Sequence, residues 1–315
     1  MVAERESVLT QFEGESEPPR RRSRLLRVLA VIGVVVVVLL GALAATGAIV
    51  AWRVDSKVQR VPVFGDVPQA ERPVKKVQDA LNILLVGSDS RGGGGSERSD
   101  TIMVVHLPAD RKSAFVVSLP RDSWVPIPGR ADGKINWAYS YGGPSLLVRT
   151  IEQLTDVQID HYAHIDFEGF KAMTDALGGV DVPGAGHLDG EAALTYVRER
   201  KTLANGDFGR IERQQAFLRA LMAGTTAELN NPVALTKLLG AVSDAVAVDE
   251  SLDAGNLRSL ALSMRGVRSG NVQFATAPNK GTGMVGDQSV VHLDPAAGEA
   301  LWTAMREDRT QTWTP

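Results

Sequence analysis

One segment constrains everything that follows it. From Leu25 to Trp52 the chain reads LLRVLAVIGVVVVVLLGALAATGAIVAW, with no charge between Arg27 and Arg53. About 20 predominantly apolar residues are enough to cross a bilayer as a helix, so this run is expected to span one. A cleaved signal peptide is the rival reading. Its apolar region would be shorter, roughly 7 to 15 residues, although the alanine-rich positions near 44 to 48 would suit a peptidase. Arg20, Arg21, Arg22, Arg24 and Arg27 stand at the leading edge, whereas Arg53 and Lys57 follow more sparsely. The positive-inside rule then keeps the N-terminus in the cytoplasm and sends the rest of the chain outside.

The remaining boundaries follow from composition. Residues 1–24 are rich in Glu, Ser, Pro and Arg and are expected to be a disordered cytoplasmic tail. Residues 25–52 form the expected transmembrane helix. Residues 53–80 carry Pro62, Pro68 and Pro73 among mixed charges and read as an extracytoplasmic stalk. Residues 81–310 are long enough for one large domain. The net charge is only −3, and no basic face points to nucleic acid. There is no cysteine, which excludes both a disulfide framework and thiol chemistry.

Three short apolar runs, NILLVGSD (82–89), TIMVVHL (101–107) and SAFVVSLP (113–120), read as buried strands bounded by turn residues. Residues 142–156 space Leu146, Leu147, Ile151 and Leu154 as one helix face. A strand at 161–167 and a helix at 168–179 follow, then helices at 189–197 and 208–224. Helices near 232–246 and 253–265, a strand at 271–277 and a helix at 294–308 complete the pattern. Strands interleaved with helices predict an α/β fold, a central sheet covered on both faces.

YVRERKTLANGDFGRIERQQ (196–215) gathers Arg198, Arg200, Lys201, Arg210 and Arg213 in a chain that is slightly acidic overall. Asp207 stands where an N-cap is expected. Arg210, Arg213 and Gln214 share a face near the first helical turn, with Ile211, Leu218 and Leu221 as the opposite, buried stripe. Cations at a helix N-terminus oppose the macrodipole, while an anion there is welcomed. The cluster therefore points to an anionic ligand, or else to a solvated face paired with Glu199 and Glu212. Arg198 and Arg200, two apart, reach one ligand only if the chain has left the helix between them.

The strand ends carry the complementary groups. Asp89, Arg91, Arg98, Asp100, Arg121 and Asp122 fall at strand termini, where sheet-based sites are built. Carboxylates beside arginines are the composition of a diphosphate site. Acids hold Mg²⁺ through one or two carboxylates, and guanidinium forks take phosphate oxygens two at a time. A salt-bridge network has the same composition. The Gly92–Gly95 run lacks the ending of a P-loop. His161 and His164 are expected on opposite faces of a strand. No Ser, His and Asp set occupies a nucleophile elbow.

Taken together, SDSR, RSDTIMVVHL, SLPRDSWVPIPG, GKINWAYSYGG, HYAHIDFEGF, DALGGVDV, HLDGEAALTYVRER and GDFGRIERQQ occur in an order and spacing that resemble the LytR-CpsA-Psr family of bacterial cell-envelope enzymes. The likeness is dense over residues 80 to 225 and looser to about 308. It implies a three-layer αβα fold with a central mixed sheet and an apolar pocket for a lipid chain. It also implies an Mg²⁺-dependent transferase, with Mn²⁺ as an alternative. Such an enzyme moves a glycopolymer from a polyprenyl diphosphate carrier to peptidoglycan through a phosphodiester. By the same resemblance Asp89 and Asp100 match the metal carboxylates, and Arg98, Arg121, Arg198, Arg200, Arg210 and Gln214 the diphosphate contacts. Lys134 matches a basic residue at the border of the site. Arg121 and Asp122 are the catalytic candidates, Asp122 to orient or deprotonate the attacking hydroxyl. A lipid diphosphate pyrophosphatase and a membrane-anchored binding or regulatory protein are the alternatives. One departure stands out: only PGAG separates GGVDV from HLDGEAAL, where many relatives carry an insertion.

Overall fold

A computed structural model describes residues 58–88, 99–199, 207–228, 232–267 and 269–314, all within the unit Ala51–Pro315. The expected tail and transmembrane segment lie outside the described residues, among which no helix is long and apolar enough to cross a membrane.

The central sheet has seven strands: β1 (Gln59–Val61), β2 (Leu81–Ser88), β3 (Ser99–Leu107), β4 (Ala114–Ser118), β7 (His161–Asp166), β10 (Val246–Asp249) and β11 (Val272–Thr276). Their spatial order is β1-β10-β7-β2-β3-β4-β11. β1–β10, β7–β2 and β4–β11 run parallel and the other neighbours antiparallel, so the sheet is mixed as expected. Strand alternation sorts the side chains onto two faces. Leu84, Val86, Ile102, Val104, Phe115 and Val117 point to one face, where the helices Ile135–Thr155 and Pro295–Arg306 cover them. Leu85, Met103, Ala114 and Val116 point to the other, toward the helices Asp207–Glu228 and Ala254–Ser263. The result is three layers.

Several elements differ from expectation. Residues 58–80, read as a stalk, pack on the domain instead: Gln59–Val61 extends the sheet at its edge and Val63 is fully buried. The helix expected from 142 begins at Ile135 and is broken at Gly142–Gly143, where Gly143 has φ 61° and ψ −156°. Pro144 then opens the second segment, a position where its missing N–H costs nothing. The short PGAG segment is the turn of a hairpin joining β8 (Val180–Val182) to β9 (Gly186–Leu188). A second hairpin, β12 (Asn279–Val285) and β13 (Gln288–Leu293), lies outside the main sheet, as does the two-residue pair β5 (Trp124–Val125) and β6 (Gly133–Lys134).

Candidate functional site

Asp100 owes its position to a register slip. β2 and β3 pair Gly87 with Thr101 but Ser88 with Ser99, so Asp100 is the extra residue of a bulge. A bulge re-aims the side chain it carries and is enriched beside active sites. Here the carboxylate meets Arg121, which follows β4, in a close ion pair. From Arg121 the charges continue. Its Nε lies 3.7 Å from Asp122, whose other carboxylate oxygen is 3.3 Å from Lys134 Nζ. All four side chains are partly exposed.

The Arg121–Ser123 turn is held from two sides. The amides of Ile135 and Asn136, at the start of their helix, donate to the carbonyls of Ser123 (2.8 Å) and Arg121 (3.2 Å). From β13, the Val291 amide donates to the Asp122 carbonyl at 2.9 Å. Among the described residues, Ser99 Oγ, Arg121 Nε, Ser123 Oγ and Asn136 Oδ1 are buried without a hydrogen-bond partner. Buried polar atoms are nearly always paired in a folded protein. This turn thus retains hydrogen-bonding capacity that a ligand or water would use.

Asp100 also lines a cavity of about 270 Å³. The interior is apolar, with Leu85, Met103, Ile165, Phe170, Leu194 and Phe217 among its walls. Gly87 lines it as well, where a Cβ would press to 3.2 Å of Thr101 Cβ. Arg198, Arg210, Gln214, Thr101 and a second carboxylate, Asp166, join Asp100 as its polar members. Arg198 is the last residue of the helix Gly190–Arg198, and its guanidinium lies 4.4 Å from the centre of the Phe167 ring. Glu199 has extended ψ, so the chain leaves the helix immediately after Arg198, which is the condition for Arg198 and a residue two positions on to share one ligand.

The helix Asp207–Glu228 differs from its sequence reading. Arg210 and Gln214 do share a face, but that face is the inner one. Arg210 is only 3% exposed, and Phe217 and Leu218 continue the same stripe along the cavity. Arg213 turns away and lies over Tyr196 at 4.8 Å. The expected separation into an arginine face and an opposite apolar face that includes Leu218 is therefore corrected. The helix lies between the sheet and other helices, so its inner face is both apolar and cationic. Gln215, which the sequence reading passed over in favour of Gln214, is buried. Its amide donates to Ser118 Oγ (3.1 Å) and the Ala275 carbonyl (3.2 Å), pinning the helix to β4 and β11.

Of the residues predicted for the site, the structure brings Asp100, Arg121, Asp122 and Lys134 into one chain of charges, and Asp100, Arg198, Arg210 and Gln214 around one cavity. Asp89, Arg98 and Arg200 lie outside the described residues. His161 and His164 occupy opposite faces of β7 as expected. His164 bonds Ser88 at 2.8 Å, and His161 lies 3.3 Å from Asp249. Among the described residues no group of three or more His, Cys, Asp or Glu side chains is placed to hold a metal.

The sequence profile of the LytR_cpsA_psr family matches residues 55–184 and 182–307. A Corynebacterium glutamicum protein named "Probable cell wall biosynthesis protein LcpB" is 35% identical over 293 residues, covering 82% of this chain and 67% of that protein. The polyisoprenyl-teichoic acid--peptidoglycan teichoic acid transferase TagU of Halalkalibacterium halodurans is 33% identical over 245 residues, covering 69% of this chain and 80% of its own. The crystal structure of B. subtilis TagV superimposes with a TM-score of 0.63 at 29% identity, over 76% of this chain and 100% of that one. Matched over residues 55–307, the chain belongs to the LytR-CpsA-Psr family.

Proposed function

We propose that this chain is an extracytoplasmic phosphotransferase that moves a glycopolymer from a polyprenyl diphosphate carrier onto peptidoglycan through a phosphodiester link. The observation that carries this reading is the make-up of the cavity: apolar walls with Arg198, Arg210 and Gln214 as hydrogen-bond donors, beside Thr101 and the carboxylates of Asp100 and Asp166. That is complementary to an amphiphile with an anionic head. The relative TagU, by its name, acts on a polyisoprenyl-linked teichoic acid and peptidoglycan.

In this reading the lipid chain lies along Leu85, Phe170 and Phe217, and Arg198, Arg210 and Gln214 take the diphosphate oxygens. Phosphoryl transfer asks a protein for positioning and charge stabilisation more than covalent help. Arg121, whose Nε makes no hydrogen bond and whose guanidinium is shared with Asp100, holds the phosphoryl group that is transferred. A sugar hydroxyl of peptidoglycan forms the new P–O bond as the bond to the polyprenyl phosphate oxygen breaks. Asp122 orients that hydroxyl and accepts its proton, and Lys134 fixes Asp122.

A hard divalent cation fits this site. Mg²⁺ is commonly bound through one or two carboxylates plus substrate phosphates, so no three-residue cage is needed. Asp100, re-aimed by its bulge, would supply one carboxylate from the cavity lining. Asp89, next in the chain after Ser88, is the second by resemblance. When bound, the cation would offset charge on the diphosphate.

The test is product analysis. The purified chain is incubated with a polyprenyl diphosphate-linked glycopolymer, peptidoglycan oligomers and Mg²⁺. Mass spectrometry should find polymer joined to peptidoglycan, lost with chelator and restored by Mg²⁺ or Mn²⁺. Release of free phosphorylated polymer alone, with acceptor present in excess, would replace this reading with simple hydrolysis.

A further inference from the structure

Next to the chain of charges stands an aromatic strip to which the mechanism above gives no role. Trp124 opens β5 two residues after Asp122 and pairs with Lys134 of β6. Its ring meets that of Trp137 edge-on with centroids 6.0 Å apart, and Trp137 lies 6.3 Å from Tyr141. Trp137 and Tyr141 are four residues apart on the first segment of the kinked helix, hence on one face. None of the three rings is fully buried. Tyr141 is 46% exposed, and the Arg130 guanidinium lies over its ring at 4.6 Å.

Large aromatic rings left partly in water beside a charged site mark a binding surface more than a core. A pyranose ring is the matching shape. Its C–H face carries partial positive charge and packs on the negative face of an aromatic ring. Its hydroxyl rim needs polar partners, and Arg130, Lys134 and Asp122 edge the strip.

We infer that Trp124, Trp137 and Tyr141 form the subsite for the acceptor glycan, a strand of amino sugars. The inference rests on the phosphotransfer reading above. Position favours the acceptor over the sugar of the donor. Asp100, Arg198 and Arg210 line the cavity, whereas Asp122 and Lys134 do not, so the chain of charges leads away from the lipid toward Trp124. In-line displacement brings the attacking oxygen in opposite the leaving one. With the polyprenyl phosphate leaving on the cavity side, the acceptor arrives from the side of the strip.

The probe is a soluble tetrasaccharide of alternating N-acetylglucosamine and N-acetylmuramic acid, titrated into the full chain in detergent without lipid donor. Intrinsic tryptophan fluorescence should change saturably, because two of the three rings are indoles. Tyr141→Ala should weaken binding about two- to tenfold, the range of one aromatic stacking contact. Tyr141→Phe should match wild type, and Arg130→Ala provides a second variant at an exposed position. In turnover, Tyr141→Ala should raise KM for the acceptor by the same factor and leave KM for the lipid donor unchanged. No saturable change with wild type would overturn the inference. So would a Tyr141→Ala effect confined to the donor, which would give the strip to the donor sugar. The titration needs no catalysis, so the two readings fail separately. A chain that binds the tetrasaccharide yet forms no linked product would defeat the phosphotransfer reading alone. An active chain that ignores the tetrasaccharide would defeat the strip alone.

Discussion

Arg121 shows how one residue answers to several constraints. Its backbone is tied to a helix start, its guanidinium pairs with Asp100, and its Nε is buried without a hydrogen bond among the described residues. Lysine would keep the charge but not the planar fork. Arg121→Lys and Arg210→Lys are each expected to lower kcat on the order of a hundredfold, as losing one charge-stabilising donor does elsewhere. Near-normal turnover in both would make these arginines a salt-bridge network. Asp249 tests the same physics away from the site. Burial pushes its carboxyl up, but hydrogen bonds from His161, Ser251 and the Tyr162 amide outweigh burial and hold it below the ordinary 3.8. A carboxyl depressed in the folded state adds stability above its unfolded value, and that stability is lost as pH falls through the folded value. Asp249→Asn should therefore cost about 1–3 kcal/mol at pH 7. The gap to wild type should close as pH drops below 3.8. Urea melts at pH 7 and pH 3 would check this, and a gap of constant size would contradict it.

At the scale of elements, irregularities place the chemistry. The bulge in β3 turns Asp100 to the cavity, and the helix break at Gly142–Gly143 comes directly after Tyr141. Gly143 has space for a methyl group, with nothing within 4 Å of an ideal Cβ. Its φ and ψ nevertheless belong to a region essentially reserved for glycine. Gly143→Ala should thus destabilise by about 1–3 kcal/mol through backbone strain alone. Denaturant unfolding should show a lower midpoint with an unchanged slope. An unaltered midpoint would mean that the kink relaxes freely, and that it does not hold the first helical segment in place.

For the whole molecule, stability and function draw on different residues. The apolar side chains on both sheet faces, each worth about 1.5–3 kcal/mol when fully buried, hold the layers together. Partly exposed ion pairs such as Lys134–Asp122 contribute about 0–1 kcal/mol. Rearranging the ion pair of Lys134 and Asp122 around a ligand therefore costs the fold little. The proposed reaction also needs the domain outside the membrane. Protease added to intact protoplasts carrying this chain should digest the domain, while full protection until the cells are lysed would reverse the proposed topology.

Short-range physics made much of this legible in the sequence: apolar runs between turn residues predicted the strands, and 3.6-residue spacing the helices. The residue types needed for an anionic ligand were visible as arginines and aspartates at strand ends. Lys134 and the metal carboxylates rested on resemblance. Tertiary structure alone decided the rest. The Asp100 bulge is a relation between two strands, and no single strand's sequence specifies its register with a partner. Arg210 faces inward because of what packs over its helix, so its charge suggested an exposed position that packing overrode. Gln214 and Gln215 are chemically identical neighbours about 100° apart on one helix; spacing from Arg210 and the resemblance marked Gln214 in the sequence, and only the surroundings make Gln215 part of the scaffold. The segment before residue 81 reads as a proline-broken linker because pairing along a sheet edge leaves almost no local signature. Local propensity sets what each segment becomes. Which side chains share a cavity depends on contacts between segments far apart in the chain.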